Sequence, residues 1–74
     1  MNWPNKIALP EPKPTERFIF YRNMQGLEKW CLDNISSRDV LWKLRMENIG
    51  GVDIWHFFFA QSQDAVMFRL VNGV

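Results

Sequence analysis

The feature that most limits the fold of this chain is an aromatic segment that runs directly into a helical one. Residues 54–60 read Ile-Trp-His-Phe-Phe-Phe-Ala, and such enrichment in aromatic side chains is typical of a strand. Ser62 follows as a predicted N-cap, with Asp64 in the first turn, where a carboxylate favours the helix dipole. A shorter strand-to-helix pattern occurs at residues 17–35, so two such units in 74 residues predict a layer of strands packed against helices.

The size and composition of the chain favour a small protein that gains stability from association. Seventy-four residues make one domain near the lower size limit for unaided folding, and the single cysteine excludes an intrachain disulfide. Aromatic residues make up 15% of the chain, more than so small a core hides easily, which suits an interface. The net charge of +1 gives no general attraction to nucleic acid or anionic membranes.

The chain shows no membrane or secretion signal. Its longest dense apolar run, residues 54–60, is far shorter than the ~18 residues of a membrane span. The N-terminus lacks the apolar centre of a signal peptide. We therefore expect a soluble intracellular protein.

The first 16 residues differ from the rest and predict an extended arm. The alternating prolines of residues 10–14 favour a polyproline-like conformation. Trp3, Ile7 and Leu9 give this arm apolar side chains, which pack either on the domain itself or on a partner. The predicted organisation is thus an N-terminal arm at residues 1–16 and a single α+β domain at residues 17–74.

Hydrophobic periodicity predicts the first half of the domain. Residues 17–22 alternate and predict a strand, and Asn23 is then a predicted N-cap. The helix that follows has a core face with helical spacing. That predicted face consists of Met24, Leu27, Trp30, Cys31 and Ile35.

The second half predicts a hairpin followed by a helix. Residues 40–47 alternate as a strand, residues 48–53 form a glycine-containing hairpin loop, and residues 54–60 form the third strand. Residues 62–74 predict a helix, with a strand at residues 66–71 as the competing interpretation. The predicted buried face of this helix consists of Val66, Met67, Leu70, Val71 and Val74.

The resulting order, β-α-β-β-α, resembles a ferredoxin-like fold that lacks its fourth strand. The resemblance implies an α+β fold in which a three-stranded antiparallel sheet carries two helices on one face. The strand at residues 17–22 would then be an exposed edge, available to the arm or to another chain such as a second copy.

Pairing Glu47 with Ile54 predicts the two faces of the sheet, and a slip of one residue would exchange the faces of the third strand. This register places Arg45 opposite His56. The predicted open face consists of Ile19, Tyr21, Leu41, Lys43, Arg45, Ile54, His56 and Phe58. The side chains predicted to face the helices are Trp42, Leu44, Met46, Trp55, Phe57 and Phe59.

The mixture of basic and apolar side chains on the open face leaves three interpretations. The face is covered by a second copy in a homodimer or by the arm, it binds another protein, or nucleic-acid bases stack on it. The last option resembles the RNA-recognition motif, whose strands stack bases on aromatic rings. The chain departs from that family because residues 54–59 lack its glycine-aromatic-glycine pattern and the fourth strand is missing.

No set of residues predicts catalysis, a metal site or a cofactor. His56 is the only histidine and has no second ligand or nucleophile near it in sequence. Cys31 lies on the apolar face of the first predicted helix and is interpreted as a core residue. We therefore predict a protein that is not an enzyme.

Residues 55–70 resemble the strand and "DAxxFRL" ending of small tailed-phage proteins. The resemblance implies a phage accessory protein, in the host cytoplasm, that binds and modulates a host or viral protein. Single-stranded nucleic-acid binding and a self-assembling structural or virion role are the alternatives. The predicted partner-binding residues are Trp3, Ile7, Leu9, Tyr21, Lys43, Arg45, His56 and Phe58.

Overall fold

The computed structural model describes residues 3–74, which fold into an antiparallel sheet packed against two helices. The elements are β1 (Asn5–Pro10), a 3-10 turn (Pro14–Glu16), α1 (Arg17–Asn34), β2 (Trp42–Ile49), β3 (Val52–Phe59) and α2 (Ser62–Asn72). The strand order is β1-β3-β2, with both strand pairs antiparallel. The predicted α+β, ferredoxin-like arrangement with three strands is therefore confirmed.

The prediction of a strand at residues 17–22 is wrong, because these residues form the first turns of α1. Phe20 lies four residues before the buried Met24, so it lies on the same side of the helix and packs against the core. Phe18 is 77% exposed, so the alternating apolar residues of this segment do not form the buried face of a strand. Asn23 lies inside the helix and caps nothing, and α1 is preceded by the 3-10 turn that begins at Pro14.

The first strand lies instead in the segment predicted to be an arm. Asn5–Pro10 pairs with β3 along its whole length, with Ile7 opposite Phe57. Ile7 is buried, and Leu9 packs against the core. Of the two placements open to the arm, packing on its own domain is the one observed, and residues 5–10 are an integral edge of the sheet.

The hairpin between β2 and β3 has the predicted register. Glu47 pairs with Ile54 and Arg45 with His56. Its loop is tighter than predicted, because only Gly50 and Gly51 lie outside the strands, at φ of +59° and +83°. Two consecutive residues with positive φ produce a turn whose twist matches that of the strands, and glycine adopts it without steric cost.

The core lies between the sheet and the two helices and is largely aromatic. The ring centroid of Phe68 on α2 lies 4.8 Å from that of Phe57 and 5.1 Å from that of Phe59. Trp42 is fully buried and donates its indole N–H to the Ser36 carbonyl at 2.8 Å. The other buried apolar residues are Ile7, Met24, Leu27 and Cys31.

Residues 62–72 are a helix, but the prediction of its buried face is wrong for four of the five residues; of that set, Val74 packs against the core. Phe68 is the buried residue of α2, whereas Val66, Met67, Leu70 and Val71 are 54–76% exposed. Phe68 lies almost opposite Val66 and Leu70 on the helix, and an aromatic ring buries more area against Phe57 and Phe59 than an aliphatic side chain would. Ser62 is the first helical residue rather than the cap, and the helix ends at Asn72, followed by Gly73 as a left-handed C-cap.

Among residues 3–74, no helix is both long enough and apolar enough to cross a membrane.

Candidate interaction surfaces

The first candidate surface is the outer face of α2, which we define as Val66, Met67, Leu70 and Val71. At about 100° per residue, these side chains span roughly 140° of the helix circumference. Val66 and Leu70 lie almost opposite Phe68, whereas Val71, three residues after Phe68, lies at the border of the two sides. All four are more than half exposed, with Leu70 at 76%. The outer face of α2 is therefore an aliphatic strip in contact with solvent, on the last helix of the fold.

The second candidate surface is the face of the sheet turned away from the helices. Phe58 lies between Lys6 on β1 and Lys43 on β2. The Lys43 ammonium is 5.2 Å from the ring centroid of Phe58 and 5.2 Å from that of Trp3. We call Trp3, Lys6, Lys43, Arg45, His56 and Phe58 the open-face cluster.

His56 lies at the centre of this face and is nevertheless buried. It is 4% exposed, because it sits between Ala8 and Arg45 on the flanking strands and beside the Phe58 ring, whose centroid is 5.8 Å away. Neither ring nitrogen has a hydrogen-bond partner among residues 3–74. The nearest carboxylate oxygen, from Glu47, is 3.5 Å from Nε2 without hydrogen-bond geometry.

The charge of the open-face cluster is partly neutralised within the chain. One guanidinium nitrogen of Arg45 donates to the Leu44 carbonyl at 2.8 Å, and the other lies 3.1 Å from the Asp39 carboxylate. Asp39 itself has φ of +68°, a conformation that aspartate tolerates better than most residues. Lys6 and Lys43 are thus the cations of this face that have no carboxylate partner among residues 3–74.

The structure brings together only some of the predicted partner-binding residues. Trp3 joins Lys43, Arg45, His56 and Phe58 on one side of the sheet, as described above. The remaining three, Ile7, Leu9 and Tyr21, lie elsewhere. Ile7 and Leu9 point into the core, and Tyr21 lies on α1 because residues 17–22 are helical.

Tyr21 belongs to a polar network that sequence reasoning missed. The side chain of Glu11 is 6% exposed, and its Oε1 accepts the Tyr21 hydroxyl at 2.5 Å and the Trp55 indole N–H at 3.0 Å. Arg17 Nε lies 3.6 Å from Oε2. The hydrogen bond to Glu11 raises the pKa of Tyr21 above its usual value of 10.0, since it favours the protonated hydroxyl.

This network connects the end of β1 to α1 and to β3, so its role is to hold three elements together. The only sequence signal for it was a single carboxylate among the prolines of residues 10–14. Its partners are distant in sequence, and no local pattern could have identified them.

Cys31, the single cysteine of the chain, is fully buried. Burial raises the pKa of the Cys31 thiol to about 12, so it is protonated and weakly nucleophilic at neutral pH. Within residues 3–74, no group of three or more His, Cys, Asp or Glu side chains is arranged to hold a metal ion.

Comparisons with protein-family models, with curated protein sequences and with solved structures give no match.

Proposed function

We propose that this is a small non-enzymatic interaction protein that binds and modulates a host or viral protein, and that the outer face of α2 is its contact surface. The observation that supports this is the exposure of four aliphatic side chains on one stripe of α2. Contiguous apolar patches are uncommon on monomers and mark interaction sites. Complete burial of one such side chain stabilises a complex by about 1.5–3 kcal/mol, before the costs of association.

The chemistry of this surface favours a protein partner over a nucleic acid. None of its four side chains is charged, so it has no group that would bind phosphate. An apolar groove or an amphipathic helix on the partner would complement it. The resemblance to tailed-phage accessory proteins includes α2, and it suggests that the partner is a host or viral protein.

The test is capture of a partner from a nuclease-treated host lysate with two matched variants. Leu70→Glu places a charge on the outer face of α2. Leu32→Glu makes the same change on α1, at another exposed residue. Leu32 follows Trp30, which contacts Phe68 of α2, by two positions and so lies on nearly the opposite side of α1.

We expect one specific protein to be captured by the wild type and by Leu32→Glu, and to be lost with Leu70→Glu. Both variants should keep the far-ultraviolet circular dichroism of the wild type. Undiminished capture by a folded Leu70→Glu variant would show that another surface binds the partner.

The open-face cluster favours a second candidate function, which is binding of single-stranded nucleic acid. Phe58 lies between two lysines, and Trp3 lies beside one of them, so bases could stack on the rings while the lysines neutralise phosphates. Titration of an oligouridylate followed by tryptophan fluorescence tests it. Binding that weakens steeply with salt and is lost in Phe58→Ala would support this function over the first.

A further inference from the structure

We propose that the free edge of β2 binds the same edge of a second copy, so that two chains form a symmetric antiparallel dimer with one continuous sheet. This inference does not depend on the outer face of α2 or on nucleic-acid binding. It rests on the unequal protection of the two sheet edges and on the charges along β2.

The outer edge of β1 is poorly suited to accept another strand. The Glu11 N–H donates to the Asp53 carbonyl at 2.8 Å, and the β1–β3 register continues from this pair through the strand. Because antiparallel hydrogen bonds alternate, Lys6, Ala8 and Pro10 turn their backbone groups outward. Proline has no N–H and lysine is strongly hydrated, so both discourage pairing at this edge.

The outer edge of β2 has the same alternation but no proline. The Ala60 N–H donates to the Leu41 carbonyl at 2.9 Å, so the odd-numbered residues of β2 bond to β3. The residues with outward backbone groups are Trp42, Leu44, Met46 and Asn48.

Only in the first half of this edge do the outward backbone carbonyls accept hydrogen bonds within the chain. The Trp42 carbonyl accepts the Asp39 N–H at 2.8 Å, and the Leu44 carbonyl accepts the Arg45 guanidinium at 2.8 Å. Among the hydrogen bonds of residues 3–74, none uses the outward backbone groups of Met46. The second half of β2 therefore presents unpaired donors and acceptors, which are a template for another strand.

A two-fold axis through Met46 gives a register in which the charges are complementary. Arg45 then lies opposite the partner's Glu47, and symmetry repeats the pair. Side chains at directly opposed positions have Cβ atoms about 4.5–5.5 Å apart. The Arg45 and Glu47 side chains are 55% and 61% exposed, so both can turn towards the new strand once Arg45 leaves Leu44 and Asp39.

Neighbouring registers are disfavoured by like charges. An axis through Leu44 places Lys43 opposite the partner's Arg45. An axis through Arg45 or through Glu47 places that residue opposite its own copy. Of these four registers, only the one centred on Met46 faces opposite charges without also facing like charges, which selects it.

Formation of the dimer also gives the Leu44 carbonyl a new hydrogen-bond donor. In the Met46-centred register this carbonyl faces the N–H of the partner's Asn48, which takes the place of the Arg45 guanidinium. Arg45 then exchanges its remaining partner, the Asp39 carboxylate, for the partner's Glu47. Met46, which is 50% exposed, meets the partner's Met46 at the axis, so apolar area is buried there as well.

The experiment is sedimentation velocity over a range of protein concentrations, with paired variants. Met46→Pro removes the central outward N–H without touching the β2–β3 hydrogen bonds, and Ala8→Pro makes the same change on the outer edge of β1. We expect a concentration-dependent dimer for the wild type and for Ala8→Pro, and a monomer for Met46→Pro. Circular dichroism confirms that each variant is folded.

Charge exchange tests the register. Arg45→Glu creates two like-charge pairs and should weaken the dimer roughly tenfold or more, and the double variant Arg45→Glu/Glu47→Arg should restore it. A wild type that stays monomeric at every concentration, a dimer that persists in Met46→Pro, or a double variant that stays monomeric would overturn the proposal.

Discussion

At the scale of single residues, His56 is the least ordinary side chain of this protein. It lies in the centre of a sheet face, is almost fully buried, and has two ring nitrogens without hydrogen-bond partners among residues 3–74. Leaving a buried polar group unpaired costs about 1–3 kcal/mol. The imidazole of His56 therefore makes the protein less stable than an apolar side chain of similar size would at the same position.

We predict that His56→Leu raises the free energy of unfolding by about 1 kcal/mol, because it removes the unpaired nitrogens and keeps the volume filled. His56→Ala is the control and should lower stability, because it leaves a cavity. Urea titration at pH 8 measures both changes. A loss of stability in His56→Leu would show that the imidazole has a bonding partner in solution.

The second prediction for single residues concerns the pKa of Tyr21, which donates a hydrogen bond to Glu11. Tyr21 is the only tyrosine, so tyrosinate absorbance reports on it alone. We expect its pKa to lie above 10.0 in the folded protein and to move towards 10.0 in Glu11→Gln. Asp53→Asn removes a carboxylate that affects Tyr21 less than Glu11 does, so it should move the pKa less.

The sign of the linked stability change follows from the raised pKa. The folded protein holds the Tyr21 proton more tightly than the unfolded chain does. The contribution of this interaction is therefore complete below pH 10 and is lost as the pH rises through the folded pKa. Equal pKa values for the wild type and Glu11→Gln would contradict the hydrogen bond.

At the scale of elements, α2 has apolar side chains on both sides, and only one side packs. Phe68 contacts the aromatic core, while the outer face of α2 contacts solvent. A core residue and a surface residue respond differently to truncation, so the two sides can be distinguished by stability alone.

We predict that Phe68→Ala lowers the free energy of unfolding by about 3–5 kcal/mol, since it removes a buried ring. Leu70→Ala should change it by less than about 0.5 kcal/mol, because the side chain is already exposed. Thermal and urea unfolding measure both. A large loss in Leu70→Ala would mean that the outer face of α2 is covered in solution, for example by a second copy.

At the scale of the whole molecule, the fold depends on the segment that precedes α1. β1 lies at the edge of the sheet and contributes Ile7 to the core. The next residue, Glu11, accepts hydrogen bonds from Tyr21 of α1 and Trp55 of β3. Contacts between residues so far apart in sequence must offset the entropy of closing a long loop, so they contribute to stability only once the whole sheet has formed.

We predict that a chain lacking residues 1–10 does not fold, whereas an unstructured arm could be removed without effect. The expected result is loss of the cooperative thermal transition and of amide protection in β3. Circular dichroism and hydrogen exchange measure this, with Lys13→Ala, at an exposed residue after β1, as the folded control. A cooperative transition in the truncated chain would contradict the placement of β1.

The part of the open-face cluster on β2 and β3 could be predicted, because the hairpin places its residues side by side. The alternation along β2 and β3 and the glycines between them set which residues are opposed, so Lys43, Arg45, His56 and Phe58 were correctly placed on one face. Tyr21 was misplaced, because its assignment depended on a strand that does not form. Lys6 was missed, since nothing local shows that residues 5–10 are paired with β3.

Periodicity and turn chemistry within a few neighbouring residues were enough to predict the β2–β3 hairpin, its register and the buried face of α1. Long-range packing was needed to place a strand at residues 5–10 and a helix at residues 17–22, since a strand is stabilised by a partner distant in sequence. Long-range packing also decided which side of α2 is buried. Both sides are apolar, and Phe68 is inside because it fits against Phe57 and Phe59 of β3.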